Sequence, residues 1–194
     1  PVYIINGFLE SGKTEFITFT LGQPYFQTKG KTLLILCEEG ENEYDPALLK
    51  KSRTEVVLIE EEEDFNPDHL IELEKKYKPE RIIIEYNGMW NCKNMKLPWY
   101  WSVEQQITTI DGSTFPMYYT NMKSLLAEMI RKSEMIIFNR CDGIKDLNVY
   151  KRNIKAVNPS ADVIFEDSNG EIDEIFEEDL PYDLNQDPIV LDNQ

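Results

Sequence analysis

The fold is decided by residues 2–14, which read Val-Tyr-Ile-Ile-Asn-Gly-Phe-Leu-Glu-Ser-Gly-Lys-Thr. The first five are apolar enough for a buried strand, and the next eight have the Gly-x-x-x-x-Gly-Lys-Thr spacing of a phosphate-binding loop. Glycines let such a loop curl until successive N–H groups face the phosphates, and the helix that follows adds its positive end. We expect a triphosphate with Mg2+ here, with Lys13 bridging the β- and γ-phosphates and Thr14 binding the metal. The loop residues expected to contact the nucleotide are Gly7, Glu10, Ser11, Gly12, Lys13 and Thr14.

Short apolar segments alternate with helical ones along the rest of the chain. Strands are predicted near residues 2–6, 31–37, 54–59, 81–85, 106–111, 135–139 and 162–165, with helices after Lys13, Asn66, Met122 and Asp146. Strands that are apolar throughout and alternate with helices imply crossover connections and a sheet covered on both faces. We therefore expect an α/β domain over residues 1–166, with three layers, a mainly parallel central sheet and the P-loop NTPase fold.

Three segments do not fit this alternation. Residues 60–64 are five consecutive acids and are interpreted as a solvated loop. Residues 90–101 contain three tryptophans with little periodicity, which is typical of a lid or an insertion. Residues 167–194 are acidic and rich in turn residues, so we expect a terminal helix and a tail there. That tail either begins a linker to a further domain or ends a chain that lacks one.

The charge balance narrows the choice of partners. The chain has 20 basic and 36 acidic residues, a formal net charge of −16. So acidic a surface repels nucleic-acid phosphates and anionic lipids, so neither is an expected partner. The three cysteines are widely separated and odd in number, which argues against a disulfide framework and favours a reducing, cytoplasmic location.

Two later strands end in side chains suited to nucleotide chemistry. Glu85 ends an apolar strand, and in phosphate-loop proteins such an acid holds Mg2+ or orients the attacking water, while Gly88 is a plausible hinge. Residues 139–142 read Asn-Arg-Cys-Asp at the end of another strand. The carboxylate of Asp142 can accept from N1–H and N2–H2 of guanine, and Asn139 can serve the N7 side. Adenine lacks that pair of donors, so guanine is the expected base.

The motifs together resemble the CobW/HypB/UreG family of P-loop GTPases, and its CobW-type branch most. The CobW-type loop GFLGSGKT matches residues 7–14, the NExGE…D segment matches residues 37–41 with Asp45, and ExxG matches residues 85–88. The NKxD guanine motif matches residues 139–142, and NPxA matches residues 158–161. This resemblance implies GTP hydrolysis linked to metal or cofactor delivery. It also implies that Glu38 or Glu41 joins Glu85 in the Mg2+ and switch machinery.

The chain departs from the family pattern at several places. The Cys-x-Cys-Cys metal motif of CobW-type proteins is missing from residues 57–65, which places metal delivery in question. Glu10 replaces a loop glycine and brings a carboxylate close to the phosphates. Arg140 replaces the lysine that packs over the loop, which keeps the charge but changes the shape. CobW-type proteins usually continue into a second domain, so the resemblance implies either that these residues are part of a longer chain or that the domain is absent.

Three functions remain open from sequence. The first is a cytoplasmic enzyme that hydrolyses GTP to GDP with Mg2+. Its expected catalytic residues are Lys13, Glu38, Glu41 and Glu85, its metal residues are Thr14, Glu85 and Glu38, and its base-loop residues are Asn139, Arg140 and Asp142. The second is a non-catalytic guanine-nucleotide module, and the third is a P-loop ATPase or kinase. A client protein is expected to contact the switch segments, which are residues 38–45 and 88–101, and in particular the region of residues 90–101, and a homodimer is possible.

Overall fold

The computed structural model describes residues 1–40 and 43–168. A parallel sheet of seven strands runs through them in the order β3-β2-β4-β1-β5-β6-β7. The strands are β1 (Val2–Asn6), β2 (Thr32–Leu36), β3 (Thr54–Leu58), β4 (Arg81–Glu85), β5 (Val103–Asp111), β6 (Met135–Asn139) and β7 (Asp162–Phe165). All seven predicted strands are present, and β5 begins three residues before its predicted start. The prediction of a mainly parallel sheet is confirmed.

Helices cover both faces of this sheet. They are α1 (Lys13–Leu21), α2 (Pro46–Lys51), α3 (Pro67–Tyr77), α4 (Phe115–Asn121), α5 (Lys123–Lys132) and α6 (Leu147–Val157). One apolar core joins the sheet to α3, α4, α5 and α6, and a second joins the opposite face to α1 and α2. These two cores make the three layers that the alternation of strands and helices predicts. No helix in the described residues is long and apolar enough to cross a membrane.

Local signals explain where two helices begin. The side chain of Asn66 accepts from the backbone N–H of His69 and Pro67 follows it, so α3 starts at the predicted cap. Asp45 accepts from the N–H of Ala47 and is followed by Pro46, which starts α2 in the same way. Helices α2 and α4 were not predicted, because they have only six and seven residues and show little periodicity.

Residues 90–101, which the sequence predicts to be a lid or an insertion, lie in the connection between β4 and β5. Trp90 is buried and packs edge to face on Tyr86, while the indole N–H of Trp101 donates to Glu74. By contrast, Trp99 is 93% exposed. The acids of residues 60–64 are exposed, as expected of a solvated loop, and include a single 3-10 turn. Residues 169–194, with nearly all of the predicted terminal helix and tail, lie outside the described residues.

The carboxyl edge of the sheet brings the candidate residues together. β1 lies between β4 and β5, so the loop after β1 has the end of β4 on one side and the end of β5 on the other. Glu85 ends β4, Asp111 ends β5 and Asn139 ends β6. Ligands of open parallel sheets bind at this edge, where the chain leaves neighbouring strands in different directions.

Candidate functional site

The loop after β1 depends on glycines at two positions. Gly7 has a φ of 150° and Gly12 a φ of 102°, both in the region that favours glycine. A Cβ at Gly7 would collide with the hydroxyl of Ser11, and one at Gly12 would collide with the amide of Asn139. The loop is fastened to β5 by the buried hydroxyls of Ser11 and Thr109, whose oxygens are 2.9 Å apart. The backbone is therefore packed too closely for larger residues here.

Helix α1 starts directly from this loop. Its N-cap is Gly12, which has no side chain to satisfy the first N–H groups of the helix. Uncapped N–H groups and the positive end of the helix dipole favour an anion at this position. This is the cradle that the sequence predicts for the phosphates.

Glu10 has a left-handed backbone inside the loop, with a φ of 62°. This conformation favours glycine, which is the residue that the CobW-type pattern has at this position. The Glu10 carboxylate lies beside Gly40, on the segment that follows β2. The substitution therefore brings a negative charge between the phosphate loop and the switch segment.

Lys13 is almost completely buried, with 4% of its surface exposed. Its ammonium group donates to the carbonyl of Gly7 at 2.5 Å and to that of Phe8 at 3.5 Å. It also forms an ion pair with the carboxylate of Glu38. The structure thus places Glu38 in the predicted site, with its carboxylate on the lysine. Glu41, the other predicted switch acid, lies outside the described residues.

Glu85 is held by two hydroxyl groups at the end of β4. Thr14 Oγ1 donates to one carboxylate oxygen at 3.1 Å, and the Tyr44 hydroxyl donates to the other at 2.5 Å. Burial raises the pKa of Glu85, while the Tyr44 hydrogen bond and the charge of Lys13 act in the opposite direction. Tyr44 was not predicted, because no local pattern marks a tyrosine that reaches a strand end 41 residues away.

Thr14 and Glu85 fit a magnesium ion bound together with a nucleotide. Within the part of the chain that the structure describes, no three His, Cys, Asp or Glu side chains are grouped closely enough to hold a metal alone. Mg2+ in nucleotide sites takes one or two protein oxygens and completes its shell with phosphate and water. A threonine hydroxyl beside one carboxylate is such a partial shell.

The segment after β4 is packed against the phosphate loop. A Cβ at Gly88 would collide with the carbonyl of Gly7. The Asn87 amide donates to the carbonyl of Cys37 at 3.2 Å, which ties this segment to the end of β2. A movement of the segment after β4 or of the segment after β2 would therefore shift the phosphate loop.

The predicted base loop after β6 is also joined to the phosphate loop. The Asn139 amide donates to the carbonyl of Ser11 at 2.7 Å, and its Oδ1 is buried and has no hydrogen-bond partner among the residues that the structure describes. Arg140 donates to the carbonyl of Glu10 at 3.0 Å and to Asp111 at 2.9 Å. Asp111 was not predicted from the sequence as a site residue, although it ends an apolar strand just as Glu85 does.

Asp142, the predicted guanine reader, is engaged by Ser168. Its carboxylate accepts from the backbone N–H of Ser168 at 2.8 Å and from its hydroxyl at 2.6 Å. These hydrogen bonds lower the pKa of Asp142. A groove of about 410 Å³ beside the loop is lined by Gly12, Phe16, Asn139, Arg140 and Ser168 among others, but not by Asp142. Ser168 would have to release or share the carboxylate for Asp142 to reach a base.

The parallel sheet, the glycine loop, the buried lysine and the strand-end carboxylate together define a P-loop nucleotide-binding protein. A family model described as CobW/HypB/UreG, nucleotide-binding domain, matches residues 1–165. The chain belongs to this family. No curated protein matches the sequence.

Solved structures show the same fold at low sequence identity. The hydrogenase maturation factor HypB from Archaeoglobus fulgidus is 19% identical over 91% of this chain and 85% of its own, with a TM-score of 0.59. HypB from Helicobacter pylori, in complex with nickel, is 17% identical over 87% and 80%, with a TM-score of 0.54. The Zn(II)-bound YjiA GTPase from E. coli is 16% identical with a TM-score of 0.59. That match covers 84% of this chain and 56% of YjiA.

Proposed function

We propose that this protein binds GTP with Mg2+ and hydrolyses it with water to GDP and phosphate. The observation that supports this best is the convergence of three elements at one edge of the sheet: the Lys13 loop, the Thr14–Glu85 pair and the loop of residues 139–142. Membership of the family supports the binding of a nucleotide. The choice of guanine and the hydrolysis of GTP are the further parts of our proposal.

Each of these residues has a distinct task in the proposed reaction. Lys13 would hold oxygens of the β- and γ-phosphates and offset the negative charge that builds up as the γ-phosphoryl group leaves. Thr14 and Glu85 would hold the Mg2+ ion, which neutralises phosphate charge when it is bound. Glu38 and Glu41 are the acids of the switch segment that we place near the attacking water.

Base recognition is assigned to the loop after β6. Nδ2 of Asn139 carries a second hydrogen besides the one on Ser11, and we assign that hydrogen to the purine N7. Asp142 would accept from the N1–H and the amine of guanine. Through its hydrogen bonds to Glu10 and Asp111, Arg140 would hold the base loop in a fixed position against the phosphate loop.

Delivery of a transition metal is not part of this proposal. The three cysteines are buried and form no disulfide. Burial is the main cause that raises the pKa of Cys92 and Cys141 to about 12, and it also raises the pKa of Cys37. A thiol binds metal as the thiolate, which these surroundings disfavour. Residues 57–65 bring no cysteine close to them.

Two rival functions are each favoured by one observation. A non-catalytic guanine-nucleotide sensor is favoured by the ion pair of Lys13 with Glu38, since Lys13 must leave it before it can assist hydrolysis. Such a sensor, or the enzyme itself, would offer a client or a second copy of the chain the exposed Trp99 and Tyr100. An ATPase or kinase is favoured by the engagement of Asp142 with Ser168. We propose a cytoplasmic location for all three.

Calorimetric titration with GTP, GDP and ATP, with and without Mg2+, tests the proposal together with a phosphate-release assay. The proposal expects GTP to bind more tightly than ATP, Mg2+ to strengthen GTP binding, and phosphate to be released slowly. Tight GTP binding without release would favour the sensor. A preference for ATP would favour the ATPase or kinase.

A further inference from the structure

We infer that the carboxylate of Glu38 competes with phosphate for the ammonium group of Lys13, so that the protein limits its own nucleotide loading. This inference rests on the proposed function, because it concerns the same phosphate site. It adds a regulatory role for Glu38 that differs from metal binding or water activation.

The first observation is that Lys13 has no spare hydrogen to offer. An ammonium group has three donors, and those of Lys13 face the carbonyls of Gly7 and Phe8 and the carboxylate of Glu38. A phosphate oxygen can gain a hydrogen bond from Lys13 only by displacing one of these three acceptors. The two carbonyls belong to the curled backbone of the loop itself, whereas Glu38 comes from another segment. Glu38 is therefore the acceptor that phosphate would displace.

The second observation is the lack of space. Lys13, Thr14, Glu38 and Glu85 border a cavity of about 20 Å³, which is room for about one water molecule. A phosphate group is several times larger than a water molecule. Glu38 contacts Lys13 from outside the phosphate loop, so its departure would enlarge this space for a phosphate between Lys13 and Thr14.

The third observation concerns charge. The side chains of Lys13 and Glu38 are only 3% and 12% exposed, so the pair is shielded from water. A buried ammonium group that loses its partner is costly, but a phosphate replaces one anion by another. Glu85 lies in the same cavity, and the repulsion between the two carboxylates helps Glu38 to leave Lys13. The free energies of Lys13 paired with Glu38 and of Lys13 paired with phosphate can therefore be similar, as a competition requires.

A purely structural ion pair would have the same geometry but a different response to ligand. If Glu38 only stabilises the fold, then its removal should leave phosphate affinity unchanged or lower it. If Glu38 competes, then its removal should raise phosphate affinity. The sign of the change separates the two roles.

The experiment compares Glu38→Gln with Glu39→Gln, using tripolyphosphate in calorimetric titrations without Mg2+. Both variants remove one negative charge, and they differ in that Glu39 is exposed. We expect Glu38→Gln to bind tripolyphosphate about tenfold more tightly than the wild type, since one charge-assisted contact no longer has to be broken. Glu39→Gln should change the affinity by much less. Equal changes in both variants would mean a general charge effect, and equal or weaker binding in Glu38→Gln would overturn the competition.

Thermal unfolding provides a second measurement in case the variant folds poorly. Glu38→Gln leaves Lys13 without its anion, so we expect its Tm to fall and tripolyphosphate to raise it by more than in the wild type. A Tm loss that tripolyphosphate does not recover would contradict the competition.

Tripolyphosphate has no base, so the result does not depend on whether the protein selects guanine. Tighter binding in Glu38→Gln with a preference for ATP over GTP would keep the competition and overturn the proposed GTPase. A preference for GTP, together with unchanged tripolyphosphate affinity in Glu38→Gln, would keep the proposed GTPase and overturn the competition. If the wild type and Glu38→Gln both fail to bind tripolyphosphate and GTP, the competition and the proposed GTPase are both overturned.

Discussion

The hydroxyl of Thr14 donates a 3.1 Å hydrogen bond to Oε1 of Glu85, although 71 residues separate them in the chain. The parallel register of β1 and β4 explains this contact, because Ile5 pairs with Glu85 and the loop then returns Thr14 to the same edge. A motif residue and a strand-end acid, each recognised separately in the sequence, thus form one candidate metal site.

The first prediction concerns that site. Thr14→Ala should weaken Mg2+-dependent GTP binding by at least about tenfold, because the metal loses one oxygen and Glu85 loses a donor. GTP binding measured without Mg2+ should change little. Thr20→Ala is the matched control, since Thr20 lies in the same helix and its hydroxyl donates to the carbonyl of Phe16. An equal loss with and without Mg2+ would argue against a metal role.

The second prediction concerns Lys13. Lys13→Ala should abolish measurable GTP binding and turnover, because it removes charge-assisted contacts worth about 1.5–3 kcal/mol each. The exposed Lys31→Ala variant controls for the loss of one positive charge. Circular dichroism would verify that the variant folds. Unchanged GTP affinity in folded Lys13→Ala would exclude this loop as the phosphate site.

The third prediction concerns the base. The wild type should bind GTP more than about tenfold more tightly than ATP, since Asp142 accepts two hydrogen bonds from guanine. Asp142→Asn should weaken GTP binding and strengthen that of xanthosine triphosphate, whose 2-carbonyl can accept from the new amide. Competition titrations with the three nucleotides measure this. If Asp142→Asn leaves GTP affinity unchanged, the loop is not the base reader.

The fourth prediction concerns the strained loop position. Glu10→Gly should raise the free energy of unfolding by about 1 kcal/mol, because Glu10 has a φ of 62°. It should also tighten GTP binding, since a carboxylate beside the phosphates is removed. Lys78→Gly is the control: Lys78 has a φ of 48° at the end of α3, so it should gain stability without a change in GTP affinity. A similar gain in affinity for both variants would show that the charge of Glu10 is irrelevant.

The fifth prediction concerns pH. Burial raises the pKa of Glu85 in the folded protein, so its contribution to stability is present at low pH and lost as pH rises through the folded pKa. Glu85→Gln cannot ionise and should lack this loss. In denaturant titrations without Mg2+, the variant should gain stability relative to the wild type between acidic and neutral pH. Parallel pH profiles would mean that folding does not raise the pKa of Glu85.

How much of this site could be predicted depends on how local the signal is. The Lys13 loop, the helix cap at Asn66 and the strand ending in Glu85 are encoded by neighbouring residues, so sequence alone locates them. The contacts of Tyr44 with Glu85 and of Glu38 with Lys13 join segments that lie far apart in the chain. No periodicity reports such pairs, and only the packed sheet reveals them.

The ties of Arg140 and Asn139 to the loop of residues 7–14 have a consequence for how the protein is made. The loop is synthesised well before the base loop, and the carbonyls of Glu10 and Ser11 find their partners 130 and 128 residues later. Contacts of such long sequence separation form late, because most of the chain must first be brought together. A nascent chain on the ribosome therefore has the complete loop sequence long before it has a finished loop. The loop can reach its finished state only after β6 has emerged and joined the sheet.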